Sequence, residues 1–303
     1  MASEPNIGIP FDLSGRTVIV TGANSGIGFA ATRQMAAAGA SVVMACRNAD
    51  KARTAAEAIR SSGVTGSVEV EIVDIGNLAS VRDFAGRMNS SGRSIDILLN
   101  NAGVMALDKT QTPDGLEAQI GINHFGHFAL TGLLMPVLVA NGGGRVVNVS
   151  SMGHRPGRVV LDDLMFERRR YSRWGAYFQS KLANLLFTRE LDRRLRSADN
   201  GVIGVCSHPG TARTELGKSG SSTTNFVMRN FTGVLIRSSE QGAEALVRAC
   251  VDPQASGGEY FGPRWMAFGT PTLETPSRRA RNDADARRLW EISEELTGVR
   301  YPF

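Results

Sequence analysis

The sequence has 303 residues, of which 42% are hydrophobic and 21% charged, so it is long enough for one α/β domain with a substantial core and too apolar for a disordered chain. Its net charge of +5 comes from arginines spread along the chain, and no zinc-finger, RNA-binding or basic-zipper pattern accompanies them, so nucleic-acid binding is not favoured. Cys46, Cys206 and Cys250 stand far apart in apolar runs, which predicts buried thiols in a reducing compartment rather than disulfides or a metal site.

The N-terminus shows no sign of an export signal. Residues 1–12 lack the basic and apolar regions of a secretory signal, and the chain contains no run of eighteen apolar residues. These features predict a cytoplasmic protein that does not enter a membrane.

The first predicted unit is a strand, a glycine-rich turn and a helix. Residues 16–21 are a β-branched run, the turn carries Gly22, Gly26 and Gly28, and an alanine-rich helix continues to Ala38. In a dinucleotide-binding fold the first glycine allows the tight turn, the second lets the backbone approach a pyrophosphate, and the third permits close packing of helix on strand. A tight turn that binds nothing is the less favoured alternative.

A cation follows the second predicted strand, residues 41–46. Arg47 stands where an NAD-binding site usually carries an acidic residue for the ribose hydroxyls, and Asp50 is the first carboxylate after it. A guanidinium suits a 2′-phosphate, so Arg47 favours NADP(H) over NAD(H). An exposed arginine at the start of the next helix is the alternative.

Two further strands end in polar residues at the same edge of a parallel sheet. The third, residues 68–73, leads into Asp74, whose carboxylate could accept a hydrogen bond from adenine. The fourth, residues 95–99, leads into residues 100–103, where Asn and Gly suit either a turn or a contact with the cofactor.

A long, mostly apolar helix is predicted over residues 115–139. Asn123 within it lowers the helix propensity and needs partners if buried, so a satisfied core asparagine and a functional amide both remain open. His124 and His127 lie one turn apart, but no Cys, Asp or Glu is spaced to complete a metal site. Both histidines are interpreted as packing or hydrogen-bonding residues, and no metal is predicted.

The strongest candidates for catalytic residues lie at and after the end of the fifth strand, which ends at Ser151. Residues 152–174 are irregular and polar, as expected of a flap on the substrate side. Tyr177 and Lys181 then stand four residues apart on one face of a helix, although an amphipathic helix with a solvated lysine would look the same. Lowering a tyrosine pKa from about 10 to about 7 takes about 4 kcal/mol, more than one exposed lysine provides, so a second positive charge or a dry pocket is required.

The remaining elements complete the sheet. A sixth strand leads into a rigid turn at Pro209 and Gly210, and residues 211–237, rich in Gly and Ser, are expected to form a mobile lid. Residues 258–261 predict the last strand, and residues 271–281 predict an exposed basic loop.

Strands that alternate with helices along the whole chain predict one fold class. We expect a single Rossmann-type, doubly wound α/β domain over residues 1–303, with a seven-stranded parallel sheet flanked by helices on both faces. No repeat, linker or second domain is found, and the chain closes with an amphipathic helix over residues 283–297.

Taken together, these motifs resemble the short-chain dehydrogenase/reductase family over nearly the whole chain. They stand in that family's order and at its approximate spacings: Thr21-Gly22-x-x-x-Gly26-x-Gly28, Asn100-Asn101-Ala102-Gly103, Asn123, Ser151, Tyr177-x-x-x-Lys181 and Pro209-Gly210. Within the family, residues 44–47, 123–128 and 180–184 resemble the retinol dehydrogenase and protochlorophyllide reductase branch.

The resemblance implies a role for each catalytic residue. Tyr177 would be the general acid/base, and Ser151 would polarise the substrate oxygen. Lys181 would hold the nicotinamide ribose and lower the pKa of Tyr177, and Asn123 would continue a proton relay through water. An oxidised nicotinamide would supply the second positive charge.

The resemblance also implies which residues contact the cofactor. The expected NADP(H)-binding residues are Gly22, Asn24, Ser25, Gly26, Ile27, Gly28, Arg47, Asp74, Ile75, Asn101, Ala102, Gly103, Tyr177, Lys181, Pro209, Gly210 and Thr211.

The predicted function is therefore an NADP(H)-dependent interconversion of an alcohol and a carbonyl on a small apolar alcohol, ketone or aldehyde. The resemblance also implies a homodimer or homotetramer built on the helices that contain Asn123 and Tyr177. A catalytically idle NADP-binding sensor or scaffold is the alternative, which the presence of all four catalytic residues disfavours.

Overall fold

Parallel β-strands form the centre of the protein. The computed structural model describes residues 11–140, 142–210, 238–265 and 268–303. In these ranges the strands are β1 Thr17–Thr21, β2 Ser41–Cys46, β3 Ser67–Ile72, β4 Ile97–Asn100, β5 Arg145–Val149, β6 Ile203–Ser207, β7 Tyr260–Pro263 and β8 Pro271–Leu273. They form one sheet in the order β3-β2-β1-β4-β5-β6-β7-β8. Strands β1 to β7 pair in parallel, which confirms the seven predicted parallel strands.

The eighth strand differs from the prediction. β8 pairs antiparallel with β7 at the edge of the sheet, so the expected exposed loop over residues 271–281 is wrong at Pro271–Leu273. Three residues carry too little alternation to predict a strand from sequence. Proline is tolerated there because an edge strand leaves one side of its backbone without a ladder partner.

Helices cover both faces of the sheet. They are α1 Gly26–Ala37, α2 Ala49–Arg60, α3 Leu78–Ser90, α4 Ala118–Val139, α5 Arg173–Ala198, α6 Ser239–Val251 and α7 Asp283–Thr297, and α4 contains a π turn at Gly121–Phe125. Buried side chains of α1, α2 and α6 share one core with Val18 and Val20, whereas those of α3, α4 and α5 share another with Ile19. Because successive strand residues point to opposite faces, this division confirms the doubly wound architecture.

Helix α4 is the apolar centre of the second face. By length and composition it could cross a membrane, and no other helix in the described ranges could; its most apolar window has a mean hydropathy of 1.4. However, 72% of that window is buried inside the protein. Packing against the sheet and α7 therefore accounts for its apolar sequence.

All three cysteines are buried, as the sequence predicts. Burial raises the pKa of Cys46 to about 11 and the pKa values of Cys206 and Cys250 to about 12. These thiols therefore stay protonated near neutral pH and behave as small core side chains.

The C-terminal helix α7 lies on the outer side of α4 and α5. Trp290 is 2% exposed, and its ring centroid lies 5.0 Å from that of Phe128 and 4.5 Å from that of Tyr301. The hydroxyl of Tyr301 donates to the carbonyl oxygen of Phe128 at 2.8 Å. The chain's own C-terminal segment thus occupies part of the surface through which the resemblance implies self-association.

Replacing Trp290 with alanine should lower the free energy of unfolding by about 3–5 kcal/mol, because the change leaves a cavity among aromatic neighbours. Urea denaturation measures this loss. Trp265 is a matched control: its side chain is 59% exposed, and Trp265→Ala should cost less than about 1 kcal/mol. Equal losses for the two variants would contradict the packing role of α7.

Candidate active site

Four strand ends meet at one edge of the sheet. β1, β4, β5 and β6 are neighbours, and their carboxyl ends lead into the segments that carry Gly22, Asn101, Ser151 and Pro209. In open parallel sheets ligands bind outside such ends, where the strand order reverses, here between β1 and β4. The structure therefore brings predicted site residues from four separate parts of the chain to one edge.

The three glycines of the β1–α1 turn have different surroundings. Gly22 has a φ of +66° and Gly26 a φ of +55°, a region that favours glycine. A side chain on Gly28 would collide with the carbonyl of Gly22 and the amide of Asn101, so this glycine keeps α1 close to the turn. A Cβ on Gly26 would have no described atom within 4 Å, so the backbone there faces open space.

The N-terminus of α1 can accept an anionic ligand. The side chains of Asn48 and Asn77 accept hydrogen bonds from backbone N–H groups at the starts of α2 and α3. At α1 the exposed Ser25 side chain makes no such bond, and the first turn carries no acidic residue. Asn24 is half-buried beside this end, and Ile27 is buried behind it. The uncapped N–H groups and the positive end of the helix dipole fit the pyrophosphate of a dinucleotide.

Arg47 follows β2 with its side chain exposed. It forms no hydrogen bond or ion pair with another residue in the described ranges. A groove of about 590 Å³ runs between the glycine turn and the start of α2, and its lining includes Asn24, Ser25, Asp50 and Lys51. Lys51 is a second cation at this place that the sequence analysis missed, although its position in the first turn after Arg47 was a usable signal.

The hydroxyl of Thr21 ties β1 to the loop after β4. It accepts hydrogen bonds from the backbone N–H groups of Asn101 and Ala102, both at 2.9 Å. The side-chain amide of Asn101 donates to the carbonyl oxygen of Thr21 at 2.8 Å. Nε2 of His127 lies 3.0 Å from the same hydroxyl, and burial lowers the pKa of His127 to about 4, so its ring is neutral near pH 7. His127 is thus a hydrogen-bonding residue, as predicted.

Asp74 and Ile75 follow β3 at the far side of the edge. Oδ1 of Asp74 accepts from the backbone N–H of Gly76 at 2.9 Å, which fixes the carboxylate at the start of the loop. Ile75 is buried, and a side chain on Gly126 of α4 would collide with its carbonyl oxygen. Contact of Asp74 with adenine, and of Ile75 with the cofactor, stays a prediction.

The side chain of Asn123 joins three segments. Its Oδ1 accepts from the N–H of Val104 at 2.8 Å, and its Nδ2 donates to the carbonyl of Val104 at 3.0 Å and to the hydroxyl of Ser180 at 2.8 Å. Asn123 lies in the π turn of α4, a feature that is frequent at functional sites. Its amide holds the loop that begins at Gly103 against α5, close to Lys181.

The ammonium group of Lys181 is buried in the middle of these elements. Nζ donates to the carbonyl oxygen of Val149 at 3.0 Å and lies 5.9 Å from the ring centroid of Tyr177. Burial lowers the pKa of Lys181 to about 8. The group is therefore charged for the most part at pH 7 and still able to release a proton.

Tyr177 is buried beside Ser151. Burial raises the pKa of Tyr177 above its ordinary value, and a hydrogen bond with the side chain of Ser151 opposes this rise. Oγ of Ser151 also accepts from the backbone N–H of Gly153 at 3.1 Å. The net direction is opposite to the one expected from Lys181, so the requirement for a second positive charge remains.

The predicted substrate-side segment, residues 152–174, is irregular except for a short helical turn at Met152–His154 and the first residues of α5. Its far end is anchored to α4. Nε2 of Gln119 donates to the hydroxyl of Tyr171 at 3.0 Å, and that hydroxyl donates to a carboxylate oxygen of Glu117 at 3.0 Å.

The turn after β6 is held by a residue that the sequence analysis missed. Gly210 has a φ of +71°, and its N–H donates to Nδ1 of His208 at 3.1 Å. The position of His208 directly before Pro209 and Gly210 was a usable signal, whereas its partner Glu274 had none. Thr211 and the predicted lid over residues 211–237 lie outside the described residues.

The sequence matches a known enzyme family and several named relatives. The model of the family described as short chain dehydrogenase matches residues 16–225. Human retinol dehydrogenase 13 is 39% identical over 297 residues, which cover 96% of this chain and 87% of that protein. Human retinol dehydrogenase 12 is 40% identical over 289 residues, which cover 95% of this chain and 88% of that protein.

Solved structures of other proteins are also similar to this chain. A crystal structure of an uncharacterized protein from Mycobacterium paratuberculosis superposes with a TM-score of 0.81 at 41% identity and covers 97% of each chain. A protein from Beutenbergia cavernae, described as an NAD(P)-dependent gluconate 5-dehydrogenase and solved with NADP bound at low occupancy, has a TM-score of 0.66 at 25% identity. That match covers 84% of this chain and 96% of the other.

Replacing Lys181 with methionine should raise the free energy of unfolding near neutral pH by about 1–3 kcal/mol, because it removes a buried charge. The carbonyl oxygen of Val149 keeps a partner in the variant, since Nδ2 of Asn184 donates to it at 2.9 Å. Urea denaturation of the two proteins measures the difference.

The pH dependence of that difference identifies its cause. The pKa of Lys181 is about 8 in the folded protein and 10.5 ordinarily, so the penalty for burying the charge is fully present below pH 8 and is lost as the pH rises towards 10.5. The advantage of Lys181→Met should therefore shrink over this range. A difference that stays constant from about pH 7 to about pH 10 would contradict the assignment.

Proposed function

The chain belongs to the short-chain dehydrogenase family, in its retinol dehydrogenase-like branch, and we propose that it is an NADP(H)-dependent oxidoreductase that interconverts an alcohol and a carbonyl. The observation that carries this proposal is the meeting of Ser151, Tyr177 and Lys181 at the carboxyl edge of the sheet. Two neighbouring hydroxyls can both bind one substrate oxygen. The open N-terminus of α1 supports dinucleotide binding at the same edge.

Tyr177 exchanges the proton in this proposal. During reduction, Ser151 donates a hydrogen bond that polarises the carbonyl, and Tyr177 gives its proton to the oxygen as negative charge develops. During oxidation, the phenolate of Tyr177 takes the proton from the alcohol. When bound at this edge, a nicotinamide cofactor would supply or accept the hydride and, in its oxidised form, would add a positive charge to the site.

Lys181 and Asn123 support the proton exchange. A lysine with a pKa of about 8 stabilises the phenolate of Tyr177 while charged and can also pass a proton on. Asn123 uses its side chain to hold the loop at Gly103 and the helix at Ser180, so it maintains the space around Lys181. We retain a relay through water past Asn123 as part of the proposal.

Two cations favour NADP(H). Arg47 follows β2, and Lys51 lines the groove beside the glycine turn. No carboxylate in the described ranges pairs with the guanidinium of Arg47, so this group is available for a 2′-phosphate. Asp50 also lines the groove, but Arg53 binds its carboxylate at 3.1 Å, which reduces its repulsion of an anion.

The surroundings of Tyr177 favour an apolar substrate. The rings of Trp174 and Phe178 lie together beside it, each with its centroid 6.0 Å from that of Tyr177 and 5.8 Å from that of the other. Both rings are half-buried, so part of their surface is free to contact a ligand. The relatives named for retinol, an apolar alcohol, support the same class of substrate.

Assembly and location are proposals as well. We propose a cytoplasmic homodimer or homotetramer. Because α7 and Tyr301 cover part of α4 and α5, such an assembly would include α7 in the interface or use the uncovered parts of these helices.

Replacing Tyr177 with phenylalanine should reduce turnover of an apolar ketone or aldehyde by about 10²–10⁴-fold, because it removes the proton donor and keeps the ring. Binding of NADPH, followed by nicotinamide fluorescence, should change little. Tyr301→Phe is the control: it removes another buried hydroxyl, far from the site, and should leave turnover intact. Full turnover by Tyr177→Phe would overturn the proposed mechanism.

Replacing Arg47 with alanine should weaken NADPH binding by about 10-fold or more and leave NADH binding nearly unchanged, because the guanidinium contacts only the 2′-phosphate in this proposal. Fluorescence titration with both cofactors measures the two affinities. Arg288→Ala removes an exposed arginine of α7 that does not line the groove, and it should have no such effect. Wild-type binding of NADH that equals or exceeds that of NADPH would refute the preference for NADP(H).

A further inference from the structure

Two buried histidines lie behind the carboxyl edge and take no part in the proposed chemistry. His208 follows β6 and directly precedes Pro209 and Gly210. His154 ends the short turn that begins after Ser151. Both side chains are fully buried, and both contact the last strands of the sheet or the residues that follow them.

The contacts of His208 determine which ring nitrogen carries the proton. The N–H of Gly210 donates to Nδ1 at 3.1 Å, so Nδ1 accepts and the proton of a neutral ring is on Nε2. Nε2 lies 2.9 Å from Oε1 of Glu274, which accepts that proton in a hydrogen bond. The Glu274 side chain is largely withdrawn from water. A carboxylate at one nitrogen thus selects the tautomer that accepts at the other.

Strand β7 leaves space for this pair. A Cβ on Gly262 would collide with Nε2 of His208 and with Oε1 of Glu274. Gly262 has no positive φ, so space rather than backbone conformation requires glycine there. The ring of Tyr260 stacks on that of His208 with centroids 5.1 Å apart and planes 25° from parallel. His208 is therefore held by a carboxylate, a ring and a backbone that makes room for it.

His154 has a similar arrangement beside Ser151. The N–H of Ser277 donates to Nε2 at 3.2 Å, and Nδ1 donates to the carbonyl oxygen of Ser151 at 2.7 Å. Burial lowers the pKa of His154 to about 4, so this ring is neutral near pH 7. The ring of Tyr260 meets it edge-on at 5.4 Å. The same strand thus supports both loops through one histidine each.

We propose that Glu274 and His208 are positioning residues for cofactor binding. Glu274 holds His208 in the tautomer whose Nδ1 accepts from Gly210, and this hydrogen bond keeps the turn at Pro209 and Gly210 in the shape that binds the nicotinamide cofactor. The inference rests on the proposed function, because the cofactor role of this turn belongs to that proposal. It adds a carboxylate and an imidazole that act through the turn and touch neither substrate nor cofactor.

Two substitutions of His208 separate the contact with Gly210 from the contact with Glu274. In His208→Asn the side-chain oxygen takes the place of Nδ1 and can accept from the N–H two residues on, as asparagine does in turns. In His208→Gln the amide reaches the place of Nε2 and can bind Glu274, while Gly210 loses its partner. Both variants lose the stacked ring, so they should share any general loss of stability.

The affinity for NADPH, measured by fluorescence titration of the full-length protein, should distinguish the two variants. We expect His208→Gln to bind about 10-fold more weakly than wild type, the effect of one lost hydrogen bond, and His208→Asn to stay within about 3-fold. At saturating NADPH, kcat should change much less than the KM for NADPH. Ser293→Ala, a buried hydroxyl that binds His124 far from the turn, should leave the affinity unchanged.

A second readout needs no cofactor. The chain has four histidines, so the ring ¹⁵N signals of His208 can be assigned by their loss in His208→Asn. Near pH 7 we expect an unprotonated Nδ1 and a protonated Nε2. Glu274→Gln, which keeps an acceptor for Nε2, should preserve this pattern, whereas Glu274→Leu should give a mixture of tautomers and weaken NADPH binding.

The outcomes separate this inference from the proposed function. Wild-type protein that binds NADPH together with a His208→Gln variant that binds equally well would overturn the inference and leave the proposed function intact. A protonated Nδ1 in wild type would also overturn it. Failure of the wild type to bind any nicotinamide cofactor would overturn both.

Discussion

The burial of the Lys181 ammonium is the constraint on which the rest of the site depends. A charge removed from water is costly unless nearby dipoles compensate for it, and the carbonyl oxygen of Val149 is the partner that it finds here. The hydroxyl of Ser150 donates to the carbonyl of Lys181 at 2.7 Å, so the end of β5 and the middle of α5 are joined at two points. Ser151 continues the same strand end, and Tyr177 lies one turn earlier on the same helix. The proximity of their side chains therefore follows from the way the lysine is buried.

Burial acts on the two ionisable groups in opposite senses and favours the neutral form of each. It lowers the pKa of Lys181 to about 8 and raises the pKa of Tyr177 above its ordinary value. In such surroundings a further charge is weakly screened by water and has a large effect on the phenol. An oxidised, positively charged nicotinamide would favour the phenolate, which accepts a proton from an alcohol. A reduced, neutral one would favour the phenol, which donates a proton to a carbonyl. The protonation state that each direction requires would thus follow the state of the cofactor.

The sequence was sufficient to predict the strands and helices but insufficient to predict most of the side-chain contacts between them. β-Branched runs bounded by glycines predict the seven parallel strands, and the rule for carboxyl ends is enough to assign Gly22, Asn101 and Ser151 to one edge of the sheet. The partners of a side chain depend instead on the register and side-chain conformations of segments far apart in the chain. His208 and Glu274 are 66 residues apart and meet because β8 pairs with β7. β8 is a strand too short to be predicted. The hydrogen bond between Asn123 and Ser180 could not be predicted, because it too depends on how distant segments pack.

These contacts divide the sheet into two parts with different physical tasks. The glycine turn, the open end of α1 and Arg47 lie on its β1–β2 side, where backbone N–H groups and a cation suit phosphates. On its β6–β8 side, neutral or paired side chains packed around Tyr260 support the backbone. Tyr260 contacts both His154 and His208, and those rings hold the segments that begin at Ser151 and Pro209. A displacement of β7 would therefore be transmitted to the segment that follows Ser151 and to the turn at Pro209 together.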